Sequence, residues 1–196
     1  MKSVKFFALA LLFATQLTFG QSTWKIDPAH SSLMFRVQHL VISEVGGYFR
    51  EFDGSLVSKN ENDLTGSTIN LVAKVASINT DNVDRDKHLK SDDFFNAEKF
   101  PELKFVSKSF KKVSGNKYVL VGDLTIRDVT KQVKLNVDYK GTVKDPWGNT
   151  KAGFKLTGAI DRFDFNLKWN AALEAGGAVV GKTVKLEANI ELAKQK

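Results

Sequence analysis

Seven stretches of this chain place a mostly apolar side chain at every second position, and this spacing restricts the fold more than any other feature. Leu33, Phe35, Val37 and His39 alternate with Met34, Arg36 and Gln38. Ile69, Leu71, Ala73, Val75 and Ser77 alternate with mostly polar neighbours, and so do Leu103, Phe105 and Ser107. Tyr118, Leu120, Gly122, Leu124 and Ile126 share a face, although valines occupy part of the other. The stretches from Val133 to Tyr139, Phe154 to Ile160 and Val184 to Leu192 complete the set. A strand points successive side chains to opposite faces, so this spacing makes one face of a sheet dry and the other wet. On a helix the same residues would be spread around the circumference. The stretch from Gly47 to Ser58 reads as an eighth strand, with a parity slip between Phe49 and Phe52 that suggests a bulge.

Eight half-apolar strands suit an antiparallel sheet closed on itself, which hides the dry face and leaves no edge. SGNK at 114–117 is a short hairpin turn between two strand patterns, and DPWGN at 145–149 is another turn. The predicted fold is all-β, a single eight-stranded antiparallel barrel with short helical segments covering an end. Such a barrel encloses an interior that side chains fill or that holds one small ligand. Two segments break the alternation. NVDRDKHLKSDDFF, 82–95, can start a short helix capped by Asp81 or Asn82. NAALEAGGAVV, 170–180, is helix-compatible for one or two turns before Gly176 and Gly177.

Residues 1–20 have the layout of a secretory signal peptide: Lys2 and Lys5, then the apolar run FFALALLFA, then a more polar stretch ending at Gly20. The apolar run is shorter than the roughly 20 residues a spanning helix needs. Cleavage after Gly20 is expected, leaving 21–196 as one exported domain in the periplasm or beyond. The chain has no cysteine, so its core must hold it without disulfides. The net charge of +7 mildly favours anionic neighbours such as lipid headgroups. The lysines form no basic block, which argues against nucleic acid.

Chemistry finds little support. The three histidines, His30, His39 and His88, make no HExxH, and no CxxC, GxSxG, GxGxxG or P-loop occurs. No metal, no cofactor and no catalytic residue is therefore expected. Gly46-Gly47 and Gly176-Gly177 read as bends. The densest charged run, RDKHLKSDDFF at 85–95, makes sense as structure: Arg85 pairing with an acid, Leu89 packing down, Ser91-Asp92 capping a turn, and Phe94 and Phe95 inserted in the barrel mouth. His30-Ser31-Ser32 after DPAH reads as the start of a strand whose hydroxyls satisfy backbone groups. An enzyme acting on a lipid-like substrate would have to draw on His30, His39 and Asp86. A barrel filled by its own side chains would serve only as a stress or interaction protein.

Segments along nearly the whole chain resemble the YceI-like family, lipocalin-like polyisoprenoid-binding proteins exported by bacteria. They include WKIDPAHSSLMFRVQHL at 24–40, VGGYFREFDGSL at 45–56, SINTDNVDRDKHLKSDDFF at 77–95, KFPELKFVSKSF at 99–110, GDLTIRDVTKQV at 122–133 and AIDRFDFNL at 159–167. Asp128 and Asn166 stand where the family usually has or often has glycine, and both residue types tolerate left-handed turns. The resemblance implies a barrel whose elongated cavity holds an isoprenoid chain, for example that of an isoprenoid quinone, or a similar long amphiphile. It also allows a homodimer, and the charge allows transient contact with a membrane surface. The inward faces expected to line the cavity carry Leu33, Phe35, Val37, Leu71 and Val75. Phe105, Leu124, Ile126, Phe154 and Leu156 continue the wall, with Phe94 and Phe95 at the mouth. His39 is the inward polar exception.

Overall fold

The period-two stretches become the strands of one antiparallel sheet, which closes on itself in the computed structural model. The structure describes residues 21–59, 63–172 and 178–195, so the expected signal peptide lies outside the described residues. The strands are β1 (Ser22–Ile26), β2 (Ser32–His39), β3 (Ser43–Phe49), β4 (Phe52–Ser58), β5 (Thr68–Lys74) and β6 (Ile78–Asn79). They continue as β7 (Glu102–Ser114), β8 (Lys117–Ile126), β9 (Val129–Lys144), β10 (Thr150–Asp161) and β11 (Val180–Lys194). Neighbours pair antiparallel, and closure comes from β11, which pairs with β2 along its first half and with β1 at its end.

These segments make eight staves, because β1 with β2, β3 with β4 and β5 with β6 each form one kinked stave. The kinks have local causes. Between β1 and β2, Asp27 caps the turn Pro28–His30, accepting from the Ala29 N–H at 3.1 Å. The Ser31 hydroxyl then accepts from the Glu191 N–H at 2.9 Å, as expected for a strand start. Between β3 and β4, the parity slip falls at Arg50 and Glu51, whose N–H groups donate to the carbonyl and hydroxyl of Ser77 at 3.2 and 3.0 Å. β1 and the two-residue β6 have no counterpart in the periodicity. In β1, five residues with only two large apolar side chains, Trp24 and Ile26, are too short a pattern to read.

The inward face packs a continuous core around Trp24, Phe105, Phe110, Leu120, Val137 and Phe154. Each fully buried side chain of this size contributes about 1.5–3 kcal/mol, so a cysteine-free chain has the core it needs. Gly122 shows how tightly the staves fit: a Cβ there would lie 2.4 Å from the Phe105 ring and 2.6 Å from the Val106 carbonyl.

The upper end of the barrel carries the β2–β3 hairpin, the helix α1 (Val83–Lys90), the β8–β9 turn and the short turn Arg162–Phe165. The lower end carries the turns at 115–116 and 145–149 where sequence places them, with Gly115 and Gly148 at positive φ. Asn82, not Asp81, caps α1, accepting from the Arg85 N–H at 2.9 Å.

Several local expectations need correction. Gly46 and Gly47 lie inside β3 and make no bend; a Cβ on Gly47 would meet Phe35 and Thr80. Asn166 is left-handed as expected (φ 61°), but in the β8–β9 turn the left-handed residue is Arg127 (φ 55°), not Asp128. In the 170–180 stretch, 173–177, with Gly176 and Gly177, lie outside the described residues. The flanks are not helical: Ala172 and Ala178 pair as an antiparallel bridge.

Candidate ligand cavity

The inward side chains leave a cavity of about 240 Å³ along the barrel, with an almost wholly apolar wall. Leu33, Phe35 and Val37 of β2 line it, as do Leu71, Phe105, Leu124, Ile126, Phe154 and Leu156. The strand parity that makes these residues alternate in sequence is what turns them inward. Below the middle of the barrel the packing becomes solid. Trp24, Phe110, Leu120, Leu192 and Ala152 are buried, and the Phe110 and Tyr118 rings stack at 4.9 Å, forming a closed floor. On β2 and β11 the upper wall stays partly exposed, through Leu33, Phe35 and Leu186 to Val37, Val180 and Val184, which mark the mouth.

The charged run at 85–95 builds a lid over part of this end. Leu89, Phe94 and Phe95 all reach the cavity wall. Phe94 packs against Trp169 at 5.4 Å and His88 at 5.0 Å, while Phe95 meets Phe49 edge-on at 5.9 Å. Arg127 holds the lid from the β8–β9 turn, donating to the carbonyls of Asp92 and Phe94 at 3.1 and 2.9 Å and pairing with the Asp92 carboxylate at 3.1 Å. Ser91 caps the C-terminus of α1, donating to the His88 carbonyl. Arg85 does not pair with an acid as expected. Its guanidinium donates to the Thr80 hydroxyl and carbonyl, both at 2.7 Å, and Thr80 donates in turn to Asp86 at 2.6 Å. This network anchors the helix to the strand before it.

Two predicted wall residues are not on the wall. At Val75 the strand gives way to a 3-10 turn, so the period of two ends there; the residue is buried in packing, its N–H donating to the Pro101 carbonyl. His39 is the last residue of β2, paired with Ser43 and Val180 at the rim beyond Val37.

The alternation also passed over contributors. Leu167 lies in the irregular segment after β10, and Val180 begins β11 before its regular alternation. Arg162 was missed too. Its signal was a charged residue continuing the inward parity of Ile160. It is 2% exposed and borders the cavity. The guanidinium donates to four carbonyls, those of Gly181, Leu167, Trp169 and Val180, so it ties the segment after β10 to the start of β11. Burial lowers its pKa, and the nearby Asp161 charge opposes that shift.

One polar cluster lies at the β1–β2 kink. Asp27, His30 and Glu191 bring ligand-type atoms within 4.8 Å of one another. The Lys151 ammonium supplies the cation there, 2.6 Å from Asp27 and 3.1 Å from Glu191. Hydrogen bonds from Lys151 and then His30 hold the Asp27 pKa down at about 2. His30, His39 and Asp86 lie on three different elements with different partners, and do not form one constellation.

Comparison with known proteins agrees with the barrel. The YceI-like domain matches residues 24–192. A UPF0312 protein of Photorhabdus laumondii is 46% identical over 149 residues, covering 75% of this chain and 77% of that protein. A UPF0312 protein of Staphylococcus aureus is 42% identical over 175 residues, covering 88% of this chain and 98% of its own. Among solved structures, the Campylobacter jejuni YCEI protein superposes with a TM-score of 0.67 at 29% identity, covering 81% of this chain and 90% of that one. A polyisoprenoid binding domain from Saccharophagus degradans shares the fold, with a TM-score of 0.64 at 15% identity over 88% of this chain and 98% of its own. The match along nearly the whole barrel and the level of identity show that this chain belongs to the YceI-like family.

Proposed function

We propose that this protein holds the hydrocarbon tail of a polyisoprenoid, such as an isoprenoid quinone, or of a similar long amphiphile, and releases it unchanged. The single observation that carries this reading is the long, almost wholly apolar cavity. A tail entering it leaves water, worth about 0.8 kcal/mol for each CH₂ buried. Such binding needs shape and dryness rather than a metal or a catalytic group. The polyisoprenoid binding domain of S. degradans, which has the same fold, supports the choice of ligand class. An exported carrier fits the layout of residues 1–20, and the periplasm is the compartment we assign.

An enzyme built from His30, His39 and Asp86 lacks the convergence that acid–base chemistry requires. A filled, ligand-free barrel does not accommodate a cavity of about 240 Å³.

Native mass spectrometry of protein isolated without detergent, followed by organic extraction, tests the proposal. A bound mass that extracts as a polyprenyl compound is the expected result. A protein that is isolated empty and takes up no isoprenoid quinone on titration refutes it.

A further inference from the structure

We propose that the tip of the β2–β3 hairpin, Leu40–Ile42, seats the cavity mouth on a lipid bilayer, so that a tail passes between membrane and barrel without crossing water. The proposal rests on the tail-binding reading above and adds the surface on which loading takes place.

The tip is apolar where a hairpin turn is ordinarily polar. Leu40, Val41 and Ile42 are 37%, 54% and 86% exposed, three consecutive aliphatic residues turned to solvent. The backbone makes the choice more unusual. Leu40 and Val41 both adopt left-handed conformations, at φ 51° and 67°. Asn-Gly fits such a turn easily, whereas a β-branched residue there is an outlier. Strain of this kind is retained where the surroundings hold it in place and clusters at functional sites. The tip is indeed held. Gln38 Nε2 donates to the Val41 carbonyl at 2.8 Å, Ser43 donates to the His39 carbonyl at 3.2 Å, and the Leu40 N–H donates to the Val179 carbonyl at 2.9 Å.

That last bond joins the tip to the mouth. Val180, the next residue, is on the cavity wall and pairs with His39, and Val37 on the same strand is on the wall as well. The exposed aliphatic tip therefore adjoins the rim of the apolar interior, one residue beyond His39. Val83, 84% exposed at the start of α1, adds to the same end. A solvent-facing aliphatic tip beside the mouth of a tail-binding cavity matches the hydrocarbon edge of a membrane, where aliphatic side chains are stable. The lower end has its own exposed apolar residues, Trp147, Val113 and Val143, but the closed floor separates them from the cavity.

The test is flotation of the protein with vesicles of phosphatidylethanolamine and phosphatidylglycerol. It is paired with uptake of an isoprenoid quinone, delivered once from ethanol and once from the vesicles. Wild-type protein is expected to float. Ile42→Asp should weaken vesicle partitioning and slow quinone transfer from vesicles by about tenfold or more, the factor equivalent to 1.4 kcal/mol. Its uptake from ethanol should be unchanged, and Trp147→Ala should behave as wild type. Equal flotation of wild type and Ile42→Asp overturns the proposal, as does release by Trp147→Ala instead. A wild-type dimer that Ile42→Asp dissociates, with neither form floating, also overturns it and assigns the tip to a second copy. Failure of wild type to take up quinone from ethanol refutes the carrier reading itself, a result distinct from failure of docking.

Discussion

Replacing Asp27 by Asn should remove stability at neutral pH and leave it unchanged in strong acid. The carboxylate accepts from Lys151 Nζ at 2.6 Å, with His30 Nδ1 at 3.1 Å. The side chains of Asp27 and Lys151 are only 20% and 16% exposed, so water screens the pair less than an ordinary surface bridge. The pKa of Asp27 falls from 3.8 to about 2. At 1.36 kcal/mol per unit, that difference is worth about 2 kcal/mol. The folded pKa lies below the unfolded one, so the stabilisation is complete above about pH 4 and is lost as the pH falls towards 2. Urea unfolding followed by tryptophan fluorescence at several pH values reads this directly. Wild type should exceed Asp27→Asn by about 2 kcal/mol at pH 6, or roughly 4–8 °C in Tm, and the two should converge near pH 2. Parallel curves across the whole range would show that the Asp27–Lys151 pair holds nothing together, and would sink the reasoning.

Three further outcomes follow from the cavity and its lid. Ala188→Phe, which turns a large ring into the cavity from β11, should reduce uptake of an isoprenoid quinone at least about tenfold at a stability cost of about 1–3 kcal/mol. Quinone titration and thermal unfolding check the two halves. Arg127→Ala should speed backbone hydrogen exchange at Phe94–Asn96 and quinone release, with little change at the floor, because its bonds hold only the lid; exchange mass spectrometry shows whether the effect stays local. Phe94→Ala should cost about 3 kcal/mol and shift Trp169 emission, since it removes a 7% exposed ring that packs on that indole; chemical denaturation and fluorescence measure both.

Strand parity was legible because a barrel obeys it strictly: Leu33, Phe35 and Val37 face inward for the same reason that they alternate with Met34, Arg36 and Gln38. Even the slip at Phe49–Phe52 was visible, since a kink shifts every later side chain by one position. What escaped is what alternation cannot encode. β1 is too short to show a period, and Leu167 and Val180 reach the wall from irregular backbone. Val75 follows the period on paper, yet it opens a 3-10 turn and is buried in the core without reaching the cavity. The role of Arg127 as a clasp depends on the β8–β9 turn meeting a lid more than 30 residues away in sequence, a contact no local pattern records. Arg162 was within reach, because a charge at an inward position implies fixed partners, but only coordinates identify them as carbonyls.

The closed floor has a kinetic meaning. A tube closed at its lower end, as the described residues are, cannot be loaded at one end and emptied at the other. Each occupant must back out before the next goes in, so exchange runs no faster than departure. A tail bound as proposed would enter foot first, with its polar end last at the threshold. For the tail-binding function proposed above, this means a shuttle that would turn the same face to donor and recipient in succession.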